Sequence, residues 1–342
     1  MNEVAIVILN WNGKHFLEKF LPSVITHSTG ARIIVADNAS TDNSVDFLKN
    51  TYPSIEIIIN DSNGGFAKGY NDALKFVDSK YYLLLNSDIE VTENWLSPLV
   101  DAMKDPQLAG CQPKVLSYQH QTMFEHAGAA GGYLDRNYFP FCRGRIFDKF
   151  ELDEGQYNGE TEIFWTTGAA MMIRAEIFHE VGGFDESFFA HMEEIDLCWR
   201  LKKRGYAFKA IPSSKIYHVG GGTLPYLSPQ KTYLNFRNSL FMIVKNHDGN
   251  LFIKLFHRLV LDGIAGVRFL IIGKWKHLFS ILRAHIDMYK QLSTLLQKRK
   301  QIKATTTHFN STGIYNGSIL WARYFKGVSK FSQLNQRLFI PK

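Results

Sequence analysis

"YYLLLNSDIEV", residues 81–91, decides the fold. Aromatic and aliphatic residues run unbroken from Tyr81 to Leu85, then meet Asn86-Ser87-Asp88, with Glu90 close behind. A short, near-continuous apolar run reads as a strand covered on both faces, the kind that parallel sheets contain. A carboxylate at its end stands where open parallel sheets bind ligands, beyond the carboxyl edge.

Three runs upstream have the same character: "VAIVILN" (4–10), "RIIVADN" (32–38) and "IEIIIND" (55–61). Each is expected to be a strand buried on both faces. Between them apolar residues take helical spacing, as Phe16, Leu17, Phe20 and Leu21, then Val45 and Leu48, then Ala73, Leu74 and Val77. Asp42 stands where a helix N-cap is wanted. The alternation predicts an α/β fold with a Rossmann-like, mostly parallel sheet and flanking helices. Its strand ends carry Asn10, Asp37-Asn38, Asn60-Asp61 and Asn86-Ser87-Asp88. Singly, each is ordinary turn chemistry. Four polar endings on one rim read as a binding site.

At 342 residues and 45% hydrophobic, the chain supports one large domain and an appendage. A catalytic domain over 1–225 and a basic, mostly helical region over 226–342 are expected. The net charge of +7 conceals a split: from Lys231 onward there are 19 Lys and Arg against 3 Asp and Glu, leaving 20 against 29 upstream. Such a tail is suited to an anionic surface. The chain lacks the stacking aromatics of RNA-binding modules, so the surface is read as membrane and not nucleic acid. Within 251–286, Lys254, Arg258, Asp262 and Arg268 interrupt the Leu, Ile and Phe too often for a spanning helix. Helices lying in an anionic membrane interface are predicted, with packing onto the catalytic domain or into a homodimer as the alternative. Cys111, Cys142 and Cys198 fit neither a disulfide framework nor metal spacing, which points to a reducing compartment. No signal-peptide pattern opens the chain.

Asp88 at a strand mouth is suited to a hard divalent cation shared with phosphate oxygens, with Asn86 as a neutral neighbour. "NGGFAKGYN" (63–71) opens a helix whose N–H groups can face an anion, yet matches neither the dinucleotide nor the Walker pattern. Lys68 there reads equally as a phosphate partner or a solvated lysine. "HMEEIDLCWR" (191–200) gathers His191, Glu193, Glu194 and Asp196 after an apolar stretch. Acids in a partly dry cleft have raised pKa values and serve as general bases, whereas Asp196 and Arg200 fit an ordinary i,i+4 pair. His218 ends a strand before three glycines and offers a second ligand from a distant segment.

Taken in order, "VAIVILNWNG", "VADNASTDNS", "NGGFAKGYN", "LLLNSDIEV", "TTGAAMMIR", "VGGFDESFF", "EEIDLCWR" and "YHVGGGT" resemble the family 2 glycosyltransferases of GT-A fold, especially the bacterial rhamnosyltransferase-like branch. The resemblance implies inverting transfer from a nucleotide-diphosphate sugar to a hydroxyl of a saccharide acceptor. In that branch the acceptor is often carried on a polyprenyl diphosphate during cell-surface polysaccharide synthesis. It further implies a peripheral protein on the cytoplasmic face of the inner membrane. Asn10 and Asp37 would contact the nucleoside, and Asn63 and Lys68 would lie along the nucleotide. Asn86-Ser87-Asp88 stands where the family has Asp-x-Asp, so Asp88 keeps the ligand for Mg²⁺ or Mn²⁺ while Asn86 departs from the pattern. Glu193-Glu194 replaces the usual Glu-Asp and makes Glu194 the base. His218 would hold metal or diphosphate. A nucleotidyltransferase would carry a Gly-rich, cationic loop after the first strand, where "NWNGKHF" is sparse. A catalytically inactive sugar-nucleotide binder is the other alternative.

Overall fold

The computed structural model describes residues 3–220 and 228–340. Strand and helix alternate through β1 (Val4–Asn10), α1 (Lys14–His27), β2 (Arg32–Asp37), α2 (Ser44–Thr51), β3 (Glu56–Ile59), α3 (Gly65–Leu74) and β4 (Tyr81–Asn86). β1 lies parallel between β2 and β4, with Asn10 opposite Asp37 and Leu9 opposite Asn86. Register therefore brings the polar endings to one rim. Side chains alternate between two cores, Val7, Ile34 and Leu84 on one face and Ile6, Val35 and Leu85 on the other. β3 departs from expectation: it is the sheet's edge strand, so Glu56 and Ile59 are exposed instead of covered on both faces. Asp42 does act at the start of α2, although one residue early, accepting from the Ser44 N–H at 3.0 Å.

The chain continues through β5 (Ile89–Val91), α4 (Leu96–Ala102) and β6 (Leu108–Ser117), then β7 (Gly132–Asp135), β8 (Pro140–Cys142), β9 (Arg145–Ile146), β10 (Lys149–Phe150), β11 (Thr161–Ile163) and β12 (Ala170–Arg174). Next come α5 (Ala175–Glu180), α6 (Glu193–Lys202) and β13 (Ala207–His218). The main sheet has nine strands in the order β11-β13-β6-β12-β4-β1-β2-β3, with β5 on β13. β12 enters antiparallel between β4 and β6. β7 to β10 form a second sheet, which the loose pattern of this region conceals because its strands are only two to four residues long.

The C-terminal region is helical, as predicted: α7 (Pro229–Asn246), α8 (Leu251–Ile271), α9 (Trp275–Lys290) and α10 (Leu292–Ala304). Beyond them β14 (Ile314–Tyr315) pairs with β7 as an edge of the second sheet, and α11 (Ile319–Tyr324) follows. α7 is fixed to α6 by buried charge: Lys245 Nζ lies 2.8 Å from Asp196 and 2.6 Å from Asp185, and Asn246 Nδ2 donates to Asp196 at 2.8 Å. Removing one member of such a network leaves an unmatched buried charge, a loss of about 3–5 kcal/mol. Among the described residues no helix is long and apolar enough to cross a membrane.

Candidate active site

The rim of β1 and β2 carries a polar cluster. Asn10 Nδ2 donates to Asp37 Oδ2 at 3.0 Å, and Ser40 N–H donates to the other carboxylate oxygen at 2.8 Å. Asn10 Oδ1 is buried and has no partner, so it is the open acceptor here. A Cβ at Gly13 would sit 2.5 Å from that oxygen and 3.4 Å from Ser87 Oγ, so the glycine lets the backbone pass close over the cluster. Asn63 Oδ1 is engaged by Gly65 N–H at 2.9 Å and by Asn38 Nδ2 at 2.9 Å. Asn63 thus shapes the loop entering α3. Lys68 pairs with Asp72 at 2.5 Å along the helix flank.

Asp88 and His218 come together through strand register: β5 runs antiparallel to β13 and sets His218 opposite Ile89. His218 Nε2 lies 3.2 Å from Asp88 Oδ1, and Nδ1 lies 3.0 Å from Glu125 Oε2. Burial works against the imidazolium, but the two carboxylates prevail and raise its pKa to about 10. In turn burial would raise Asp88 and Glu125, yet the imidazolium outweighs it, and Glu125 falls to about 2. The donor set fits a small divalent cation. Asp88 Oδ1 and His218 Nε2 are the atoms that would hold such a cation, His218 giving up its ring proton as it bound. Glu125 then completes a carboxylate–histidine pair behind the ligand. No group of three or more His, Cys, Asp or Glu with ligand geometry lies among the described residues. Asn86 sits at the same strand end, its N–H bound to Ala169 carbonyl at 2.9 Å.

Glu193 and Glu194 begin α6 after a strained approach. Phe189, His191 and Met192 all have positive φ, which for such side chains needs outside support. Support comes from two sides. The Phe66 N–H at the start of α3 donates to Phe189 carbonyl at 2.7 Å. Gly65 must be glycine there, since φ is +78 and a Cβ would sit 2.4 Å from that carbonyl oxygen. From α7, Asn238 Nδ2 reaches the carbonyls of Phe188, Ala190 and His191 at 2.9, 2.8 and 2.7 Å. Arg237 Nη2 adds the Ser187 and Phe188 carbonyls at 3.0 and 2.9 Å.

The result is a pair of poorly solvated acids. Glu193 Oε2, Glu194 Oε2 and His191 Nε2 are all buried without a partner. Burial raises Glu193 well above the usual carboxyl range, and Glu194 adds to the effect. Burial also raises Glu194, to about 7, against the pull of backbone N–H groups. One of the two is therefore ready to take a proton near neutrality. Asp196 is different: Arg200 Nε binds it at 2.9 Å, the i,i+4 pair the spacing predicts.

Residues 5–182 match the model of glycosyl transferase family 2, more than half of the chain. The chain belongs to that family. It is a glycosyltransferase of GT-A fold. It is 24% identical over 232 residues to the N-acetylglucosaminyl-diphospho-decaprenol L-rhamnosyltransferase of Mycobacterium tuberculosis, covering 63% of this chain and 75% of that one. It is 23% identical over 224 residues to the rhamnosyltransferase WbbL of Escherichia coli K12, covering 63% and 83%. Two solved structures share the fold. GalNAc-T7 with UDP, GalNAc and Mn²⁺ superposes with a TM-score of 0.57 at 17% identity, covering 72% of this chain but 48% of its own. The mannosyltransferase PcManGT of Pyrobaculum calidifontis, with GDP-Man and Mn²⁺, gives 0.50 at 14%, covering 89% and 85%.

For this family 2 chain, three contributors escaped the sequence reading: Glu125, Arg237 and Asn238. Glu125 had a faint signal, an acid beside a histidine within the otherwise apolar "MFEHAGAAG". Arg237 and Asn238 had none. Of the "YHVGGGT" motif, Gly221, Gly222 and Thr223 lie outside the described residues.

Proposed function

We propose that the protein transfers a sugar, with inversion, from a nucleotide-diphosphate sugar to a saccharide hydroxyl on a polyprenyl-diphosphate-linked acceptor. The observation that carries this reading is the pair of buried, unpartnered glutamate oxygens in a fold whose strand rim carries Asp88 and His218. The donor nucleotide lies on the β1–β2 rim, where Asn10 Oδ1 and Asp37 accept from base or ribose, with Asn63, Lys68, Asn86 and Ser87 along it. Asp88 and His218 would hold a divalent cation, which when bound would supply positive charge for the leaving diphosphate. Glu194 removes the proton of the acceptor hydroxyl as its oxygen attacks the anomeric carbon. The bond from that carbon to the diphosphate oxygen breaks on the opposite face. General-base help of this kind contributes roughly 10² to 10⁴ in rate. Glu193, held protonated beside it, keeps a second negative charge out of the cleft.

A lipid-linked acceptor accords with the outer surface of α8 and α9. α8 buries Arg258 and Asp262, with Arg258 Nε 2.7 Å from Asp262 and stacked over Phe139, leaves Arg268 exposed, and exposes much of its hydrocarbon. Phe252 is 80% exposed and Ile271 79%, with Phe256, Ile264, Trp275 and Phe279 also bare. Lys274, Lys276 and Arg283, just before and on α9, are exposed as well, Arg283 over the Tyr233 ring. That pairing of bare apolar residues and cations suits the interface of an anionic leaflet. We place the protein peripherally on the cytoplasmic leaflet, a location in keeping with three free, buried cysteines. The relative named for a decaprenol-linked substrate supports the same acceptor class.

The test is a panel of nucleotide sugars with Mg²⁺ or Mn²⁺, read as released nucleoside diphosphate with and without a lipid-linked saccharide. Release of pyrophosphate in place of nucleoside diphosphate would move the assignment to nucleotidyl transfer.

A further inference from the structure

Arg145 is a buried cation that the mechanism above does not use. It sits on β9, is only 8% exposed, and has no carboxylate within ion-pair distance among the described residues. Its Nε is buried and unpartnered, and among the described residues its side chain makes one hydrogen bond, a long one from Nη2 to Cys142 Sγ at 4.0 Å. A guanidinium in that position is costly unless an oxyanion meets it. The surrounding backbone places it beside the metal-side carboxylate. Gly144 carbonyl accepts from Glu151 N–H at 3.0 Å, and Glu151 carbonyl accepts from Phe124 N–H at 3.0 Å, next to Glu125. Phe150, opposite Arg145 in the ladder, lies 6.4 Å from the His126 ring. Lys231, half-buried at the start of α7, is within electrostatic reach of Arg145, Glu125 and His126. It also reaches His191, whose Nε2 is a second buried nitrogen without a partner.

We propose that Arg145 and Lys231, flanked by His126 and His191, form a diphosphate-binding subsite separate from the Asp88–His218 metal ligands. The inference rests on the glycosyl-transfer reading for its substrates, since both the sugar donor and a polyprenyl acceptor carry a diphosphate. Guanidinium and ammonium together match its charge, and a planar fork with an unpartnered Nε matches adjacent oxygens.

The experiment uses the full chain and inorganic pyrophosphate in EDTA, with binding followed by calorimetry. Wild type is expected to bind without metal. Arg145→Gln and Lys231→Gln should each weaken binding about tenfold to a hundredfold, and Asp88→Asn should leave it unchanged. Lys231→Gln alters a half-buried side chain and keeps the test open should Arg145→Gln misfold. No binding in EDTA, or binding indifferent to both substitutions, overturns the proposal. Two further arms distinguish the source. If the donor fills the subsite, nucleoside diphosphate with Mn²⁺ binds the variants more weakly. If the acceptor fills it, KM rises for a diphosphate-linked acceptor and not for the same saccharide on a neutral linker. Wild-type donor turnover in the same preparations reports on glycosyl transfer itself, so failure of the subsite and failure of the reaction class give different results.

Discussion

Asn238→Ala tests whether the first C-terminal helix sets the geometry of the base. The amide has two N–H groups and three carbonyls in reach, at 2.7–2.9 Å, so it maintains two bonds at a time. Two bonds at about 1 kcal/mol each, plus the penalty of stranding buried carbonyls, come to about 2–3 kcal/mol. The segment they restrain contains three residues at positive φ, each storing about 1–3 kcal/mol. With the amide gone, the strain outweighs what remains and the approach to Glu193-Glu194 relaxes. At about 1.36 kcal/mol per decade, kcat should fall about thirtyfold to a hundredfold. Donor affinity should change less than twofold, because Asn10 and Asp37 lie on other elements. Single-turnover rates with a saturating donor, beside donor titrations, give the split. A relaxed loop also wets Glu194, so the acidic limb of the rate profile should move to lower pH, which a loss of stability alone would not do. A variant with a lower Tm but wild-type kcat and pH profile would refute the reasoning.

The glutamate pair predicts its own pH dependence. Because burial raises Glu194 to about 7, its basic form exists above that value, and kcat should rise through neutrality and be lost below it. Glu194→Gln should cost roughly 10² to 10⁴ in kcat and Glu193→Gln less; the reverse order would make Glu193 the base. Asp88→Asn should abolish metal-dependent nucleotide binding while leaving Tm near wild type, and full activity in EDTA would contradict a metal role. For the membrane face, Lys274→Ala, Lys276→Ala and Arg283→Ala together should weaken binding to anionic vesicles about a hundredfold, at about 1 kcal/mol per cation. Full-length protein that ignores such vesicles and sediments as a dimer would assign the apolar face of α8 to a second copy.

The parts of the site legible in the sequence are those that strand ends carry. Asp88, Asp37 and Asn10 follow apolar runs whose period and length are unmistakable, and parallel pairing then puts them on one rim. Glu193 and Glu194 stood out because four ionisable groups crowd an apolar context. The edge position of β3 was hidden, since strand order is a tertiary fact and "IEIII" reads alike at an edge or a centre. β7 to β10 are too short to show a period, and β7 takes a partner from far along the chain. Glu125 meets His218, 93 residues away. Asn238 acts through backbone carbonyls, and nothing in an amphipathic helix marks which amide will turn inward.

The late partner of β7 has a consequence for how the protein is made. Phe331 N–H binds Glu151 across a separation of 180 residues, and Ile319 N–H binds Asp135 across 184. A chain emerging from the ribosome therefore completes the β1–β2–β4 rim early, while β7 and its neighbours wait for an edge not yet translated. During that interval Asp135 has the Asn137 and Phe139 N–H groups but lacks that of Ile319, Glu151 lacks that of Phe331, and the aromatic cluster of Tyr133, Phe141 and Phe331 is incomplete. Long-range pairing of this sort forms slowly and leaves sticky surface exposed meanwhile. The apolar helices α8 and α9 emerge before the closing strand. Nascent chains stalled near residue 300 should accordingly be protease-sensitive around 120–160 and resistant over 4–91, with protection arriving only once residues 314–340 have cleared the exit tunnel.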